Sequence, residues 1–180
     1  GVDVGLLDNR ISVAVDWYQR NNYDLIGPVS TQGAGGEILK MGNIAEMKSN
    51  GVEFTLSTRN IQTKDFSWTT DFIYSHTHNE ITKLKSNKTL MGLVSGYGFA
   101  REGYPVRSIF SIPFQGLNKD GIPTFLNQDG QITTTDINFQ ESKKLDFLKY
   151  SGAADPTDLG SFGNTFGYKG FKLNLFITYS

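Results

Sequence analysis

At 180 residues the chain is long enough for one domain with a real core, and 17 lysines and arginines against 18 acids leave a net charge of −1. That balance gives no basic excess to attract nucleic acid and no polybasic run to attract anionic lipid. With no cysteine there are no disulfides, thiolate metal sites or cysteine nucleophiles.

Val2–Leu6 reads as a short strand, turned by Leu7-Asp8-Asn9-Arg10, whose Asp and Asn tolerate turn backbone. Ile11, Val13, Val15 and Trp17 then share one face, opposite Ser12, Ala14, Asp16 and Tyr18, in a strand that continues toward Tyr23–Ile26. Gly27-Pro28 opens a long loop, expected over 27–50, that contains Gly33-Ala34-Gly35-Gly36. This glycine cluster lacks the strand-turn-helix setting and the Lys-Ser/Thr ending of a phosphate-cradling loop, so it reads as a flexible connection. Val52, Phe54 and Leu56 alternate with Glu53, Thr55 and Ser57. After a polar break at Asn60–Asp65, Phe66, Trp68, Phe72 and Tyr74 alternate with Ser67, Thr69, Asp71 and Ser75, which predicts an antiparallel hairpin. Its second strand runs on toward Leu84, longer than the ~9–11 residues that a tilted strand needs to cross a bilayer.

The stretch 85–160 is the least regular, with short β-like pieces near Ile109–Phe114 and Ile122–Leu126. Leu117-Asn118-Lys119-Asp120-Gly121 and Leu126-Asn127-Gln128-Asp129-Gly130 form a local repeat that predicts two tight turns, since Asp-Gly favours them. A calcium loop wants an acidic first position and a glutamate at the twelfth; centring such a loop on Asp120-Gly121 puts Gly116 and Asn127 there instead. Phe162–Phe166 reads as a strand and Tyr168-Lys169-Gly170 as a tight connection. Phe171, Leu173, Leu175, Ile177 and Tyr179 then share one face of the last strand.

The connections near Asp8, Thr63 and Lys169 are short, and those near Gly36 and across 85–160 are long. If successive strands pair as a meander, every short turn lies at one end and every long loop at the other. Outer-membrane β-barrels have this asymmetry, with short periplasmic turns and long extracellular loops. The expected fold is therefore all-β: an antiparallel meander of about six strands, a segment of a transmembrane β-barrel, curled into an open sheet or sandwich if isolated. Trp17, Trp68, Tyr74 and Tyr179, near strand ends, suit an aromatic girdle; core packing explains them equally well. The rival reading is a soluble secreted β-sandwich that binds carbohydrate.

His76, His78 and Glu80 share a face of a continuous strand, a spacing that metal sites use, but no further ligand cluster is visible and an exposed polar face is the plainer reading. No nucleophile–base constellation and no Gly-x-Ser-x-Gly elbow is present, so neither an enzyme nor a cofactor is expected. Tyr97, Phe99, Tyr104, Phe110 and Phe114 lie in the long 85–160 region. Sugar rings stack on such faces, which makes these aromatics candidate substrate contacts; packing of the loop is the alternative.

Several stretches carry a family likeness. Val2-Asp3-Val4-Gly5-Leu6-Leu7-Asp8-Asn9-Arg10-Ile11-Ser12 with Asp16-Trp17-Tyr18, Asn43-Ile44 through Ser49-Asn50-Gly51-Val52-Glu53, and Gly116-Leu117-Asn118-Lys119-Asp120-Gly121-Ile122-Pro123 are three of them. Phe66-Ser67-Trp68, Asn79-Glu80-Ile81, Gly103-Tyr104-Pro105 and Gly160-Ser161-Phe162-Gly163-Asn164-Thr165 with Tyr168-Lys169-Gly170-Phe171 complete the series. In this order the chain resembles the SusC/RagA-like, TonB-linked outer-membrane transporters of Bacteroidetes. It departs at Ser161, where the family has a second glycine, and at Ala45, where glycine is expected. Members carry a plug, a TonB-contacting segment and a barrel of about 22 strands. The resemblance therefore implies one piece from the later part of a barrel, too small to close alone. It also implies an outer-membrane location in a Gram-negative cell, import of oligosaccharide or peptide, a SusD-like surface lipoprotein and the TonB complex as partners, and outer-membrane lipid around the wall.

Overall fold

The alternation of apolar and polar residues becomes six strands of one sheet. The computed structural model describes residues 1–30, 39–85, 88–95 and 100–180. In chain order the strands are β1 (Val2–Leu6), β2 (Ile11–Ser30), β3 (Leu39–Gln62) and β4 (Phe66–Leu84). A single helical turn α1 (Leu90–Leu93) and the short strands β5 (Ser108–Ser111), β6 (Phe114–Leu117), β7 (Pro123–Leu126), β8 (Ile132–Thr133) and β9 (Lys149–Ala153) follow, then β10 (Asp158–Tyr168) and β11 (Phe171–Tyr179). The main sheet has the order β1-β2-β3-β4-β10-β11; β5 pairs with β9, and β6-β7-β8 form a third small sheet. Among the described residues no helix is long and apolar enough to cross a membrane, which says nothing of strands.

Two compact units divide the chain. The sheet unit comprises Gly1–Arg20, Ser49–His78 and Pro156–Ser180. Within it β1 lies antiparallel to β2, with Val4 opposite Val13, and β10 lies antiparallel to both β4 and β11, with Phe162 opposite Phe72 and Ile177. Arg59 N donates to Arg10 O at 2.8 Å where β3 meets β2, and Thr63 N to Phe66 O at 2.8 Å where β3 turns into β4. The meander is therefore interrupted once, between β4 and β10. The tight turns at 7–10, 63–65 and 169–170 fall at one end, and the long connections leave from the opposite strand ends. Leu7, Asp8, Asn9 and Lys169 take left-handed backbone in these turns, which Asp and Asn tolerate best among residues with a side chain. This is an open sheet, not a sandwich: all of β1 and all of β11 are exposed.

The second unit comprises Asn21–Lys48 and Asn79–Asp155. Here the structure departs from one expectation. Where it is described, the loop expected over 27–50 is strand, since β2 extends to Ser30 and β3 begins at Leu39; the Gly33-Ala34-Gly35-Gly36 cluster lies outside the described residues. Neighbours impose the strand: Lys85 N donates to Ile44 O at 2.7 Å, and Ala45 is buried. The described part of the 85–160 stretch is irregular apart from short strands, as expected, and it folds around its own core of Leu90, Leu93, Phe110, Leu145 and Leu148. Every buried hydrophobic residue among those described belongs to this second unit. The repeat forms the expected turns. Asn118 Oδ1 accepts from Asp120 N and Ile122 N, Asn127 Oδ1 accepts from Asp129 N and Gln131 N, and Gly121 and Gly130 both take positive φ.

Candidate functional site

The register of the sheet unit sorts its side chains into two faces. Val4, Val13 and Trp17 share one face with Phe54, Phe72, Trp68, Phe162, Phe166, Leu173, Leu175 and Ile177. Asp3, Ser12, Asp16, Glu53, Ser57, Asp71, Thr165 and Asn174 occupy the other. Rings join the apolar face across strands: Phe54 lies 6.0 Å from Phe72, and Trp68 stacks on Phe166 at 5.7 Å. This face is not a core, for Trp17 is 64% exposed and Phe171 82%. Removing each such side chain from water is worth roughly 1.5–3 kcal/mol, and an apolar surface this continuous on a soluble protein marks contact with a partner or a membrane.

Aromatic rows bound the apolar face. Phe66, Tyr168 and Phe171 stand opposite one another beside the turns, and Tyr74 and Tyr179 flank Gly160 further along. The rows are ~27 Å apart along the strands at ~3.4 Å per residue, or ~20 Å at a strand tilt near 40°. A barrel's apolar band, about 25 Å tall between aromatic girdles, has these proportions. A polar cluster interrupts the face near the turns. The Trp68 indole N–H and the Thr70 hydroxyl both donate to Asn164 Oδ1, at 2.9 and 2.7 Å, and Asn60 Nδ2 donates to Thr70 Oγ1 at 2.7 Å. Mutual bonding satisfies these groups without water, which an apolar surrounding requires. On the polar face the Tyr18 hydroxyl crosses β3 and meets Thr77 Oγ1 at 2.8 Å on β4. Only glycine fits beneath it: a Cβ on Gly51 would lie 2.5 Å from the Tyr18 hydroxyl and 2.6 Å from the His76 carbonyl oxygen.

One histidine of the pair, His76, has a structural partner. His76 Nδ1 lies 2.8 Å from Asp158 Oδ1, which also accepts from the Tyr74 hydroxyl at 2.7 Å. Among the described residues no cluster of three or more His, Cys, Asp or Glu side chains is arranged to hold a metal.

The second unit carries the candidate substrate aromatics. Tyr97 and Phe99 lie outside the described residues. Tyr104 and Phe110 come together edge-to-face at 5.0 Å, and Tyr150 completes the cluster at 5.1 Å from Tyr104. The Arg101 guanidinium stands 5.3 Å from both the Tyr104 and Phe110 ring centres and donates to Asp146 at 2.7 Å. Phe110 is only 2% exposed and serves the core. Phe114 stands apart from this cluster, 60% exposed and 6.0 Å edge-on from Phe125. Sequence reading missed Tyr150 and Arg101, because only the β5–β9 pairing, with Phe110 opposite Tyr150, brings them to the others. The Lys144 ammonium beside Asp129 holds that carboxyl below its usual range and is itself raised by it. Backbone N–H groups of Lys143, Lys144 and Ser142 lower Glu141 likewise.

The chain is 28% identical over 98% of its length to TonB-dependent receptor P3 of Formosa agariphila, of which it covers 19%. It is 36% identical over 47% of its length to TonB-dependent receptor SusC of Bacteroides thetaiotaomicron, of which the match covers 8%. Among solved structures the RagAB peptide transporter superposes with a TM-score of 0.75 and 26% identity, over 98% of this chain and 19% of that one. No family model matches the chain. It spans about a fifth of the length of the relatives that it matches from end to end. A sheet with one apolar face, bounded by aromatic rows and turned tightly at one end only, is a wall segment of a transmembrane β-barrel. Over nearly its whole length the chain is similar to one segment of SusC/RagA-like TonB-dependent transporters.

Proposed function

We propose that the chain supplies part of the barrel wall and outer loops of a TonB-dependent importer in the outer membrane of a Gram-negative cell. The two-faced sheet carries this reading: its apolar face meets lipid and its polar face meets the lumen. The tight turns then face the periplasm, and the 85–157 excursion faces outward. The cargo is an oligosaccharide or peptide, the outer partner a SusD-like lipoprotein, and energy comes through TonB. The segment itself does no catalysis. Within the excursion, exposed Phe114 is the aromatic placed to touch cargo, while Tyr104 and Phe110 hold the loop in shape.

Single cysteines at Leu175 and Asn174, adjacent on β11, test the reading in the intact polypeptide reconstituted in bilayers. A spin label at 175 is relaxed by lipid-dissolved oxygen, and one at 174 by a water-soluble reagent. Equal access of the aqueous reagent to both would overturn the membrane assignment.

A further inference from the structure

The Asn-x-Asp-Gly sequence occurs twice and folds into the same turn, yet the two copies are held differently. Gly121 N donates to Asn118 O and Gly130 N to Asn127 O, each at 3.0 Å. Both glycines take positive φ, and a Cβ on either would meet nothing within 4 Å. In the second turn the carboxylate is gripped at both oxygens. Asp129 Oδ1 takes the Lys144 ammonium at 2.5 Å, and Oδ2 accepts from Gln128 Nε2 at 3.4 Å. The 136–138 segment ties the same turn down. Asn127 Nδ2 donates to Asp136 O and Asn138 N donates to Gln128 Oε1, both at 3.2 Å. Among the described residues the first turn is bonded to itself alone, through Asn118 N to Ile122 O at 2.9 Å and through the Asn118 side chain. Its Asp120 is exposed, and no described residue makes a hydrogen bond or ion pair to that carboxylate.

We propose that Asp120-Gly121 is a site of spontaneous aspartate isomerisation and that its sister, Asp129-Gly130, is shielded from the same reaction. The chemistry needs a neutral side-chain carboxyl and the amide nitrogen of the next residue, and glycine there leaves no Cβ to crowd the approach. Gly121 N attacks the Asp120 carboxyl carbon. The amide proton and the carboxyl hydroxyl leave together as water, which closes a succinimide ring. Water then opens the ring at either carbonyl. One opening restores aspartate; the other routes the main chain through the side-chain carbon as isoaspartate and frees an α-carboxylate. In the folded turn Gly121 N is engaged, so the ring closes only after the turn opens. A turn bonded to itself alone opens more readily than one tied to a second segment. The Lys144 ammonium also holds the Asp129 carboxyl ionised, which withholds the neutral acid. Isoaspartate lengthens the main chain between β6 and β7 and so disturbs the pairing that seats Phe114 opposite Phe125. The inference stands independently of the membrane reading of the sheet.

The test incubates the intact folded polypeptide in mildly acidic buffer made with heavy-oxygen water, so that each ring opening leaves a label. Electron-transfer fragmentation of the digest then counts isoaspartate at each site. The same chain unfolded in urea is the reference, and there the two sites should react alike. In the folded chain isoaspartate should accumulate at Asp120 about tenfold faster than at Asp129, the factor expected when one hydrogen bond to a charged group is missing. Lys144→Gln should raise the rate at Asp129 and leave that at Asp120 unchanged. Lys143→Gln, the neighbouring charge loss, should leave both rates as they are. Equal rates at the two sites of the folded chain would overturn the proposal. So would an Asp120 that stays intact when folded but reacts in urea. An unchanged rate at Asp129 in Lys144→Gln would refute the shielding by Lys144.

Discussion

The sheet unit and the excursion are built from similar residues used in opposite ways. In the sheet, Val4, Trp68, Phe162 and Leu175 point off one face with nothing of their own unit over them. In the excursion, Leu90, Leu93, Phe110, Leu145 and Leu148 close on one another. The first arrangement makes sense only with an external apolar phase, and the second supplies its own. One chain is thus fitted to two solvents, and its hydrogen bonding follows suit. The sheet satisfies its backbone through long ladders. The excursion relies on side chains such as Asn127, buried and bonded to the backbone at 129, 131 and 136.

Substitutions should separate the two. Phe110→Ala removes the ring at the centre of the excursion core and should cost about 3–5 kcal/mol there. Hydrogen exchange should show the 88–155 amides losing protection while those of β10 and β11 keep theirs. Phe72→Arg, in the middle of the apolar face, should cost about 2–4 kcal/mol in bilayers; Thr69→Arg on the polar face should cost under about 1 kcal/mol. Equilibrium unfolding in lipid vesicles measures both, and equal costs would break the comparison. Asn127→Ala should cost about 1–3 kcal/mol by removing the buried amide that ties the backbone at 129, 131 and 136 together. Asn118→Ala, in the sister turn but only half-buried, should cost less, as urea midpoints of the two variants would show.

The smallest effect is the Asp129–Lys144 pair at the surface. Asp129 is depressed by folding, so its contribution is present above the ordinary carboxylate pKa of 3.8 and fades as pH falls through its lower folded value. Lys144 is raised, so its share is present below 10.5 and fades as pH rises through its higher folded value. Protection factors of the amides near Gln128–Gly130 should therefore be largest at intermediate pH, and Lys144→Gln should flatten that profile.

The sheet was legible because a strand's period of two writes both faces into the sequence, as Val13, Phe54, Trp68 and Leu173 did. β4 ends at Leu84, as its pattern indicated. The start of β3 was not legible: Asn43-Ile44-Ala45-Glu46-Met47-Lys48-Ser49-Asn50 shows no alternation, and pairing with β4 through Lys85 makes it a strand. The excursion core was hidden for a related reason. Leu90, Phe110 and Leu145 meet across long separations that no local period records. Its turns could be read, since Asn-x-Asp-Gly carries its own backbone instructions. The aromatics of 85–160 were located by type, but their division into the buried Phe110 and the exposed Phe114 depends on pairing with β9 and β7.

Both tryptophans of the chain sit on the apolar face, Trp17 exposed and Trp68 bonded to Asn164 and stacked on Phe166. Intrinsic indole emission therefore reports this wall alone. Trp17 should blue-shift and be quenched by brominated acyl chains, while Trp68 should report whether β4 and β10 are zipped together. The excursion, lit only by tyrosines, stays dark at red-edge excitation, so a single cuvette can follow the wall while the loops fold unseen.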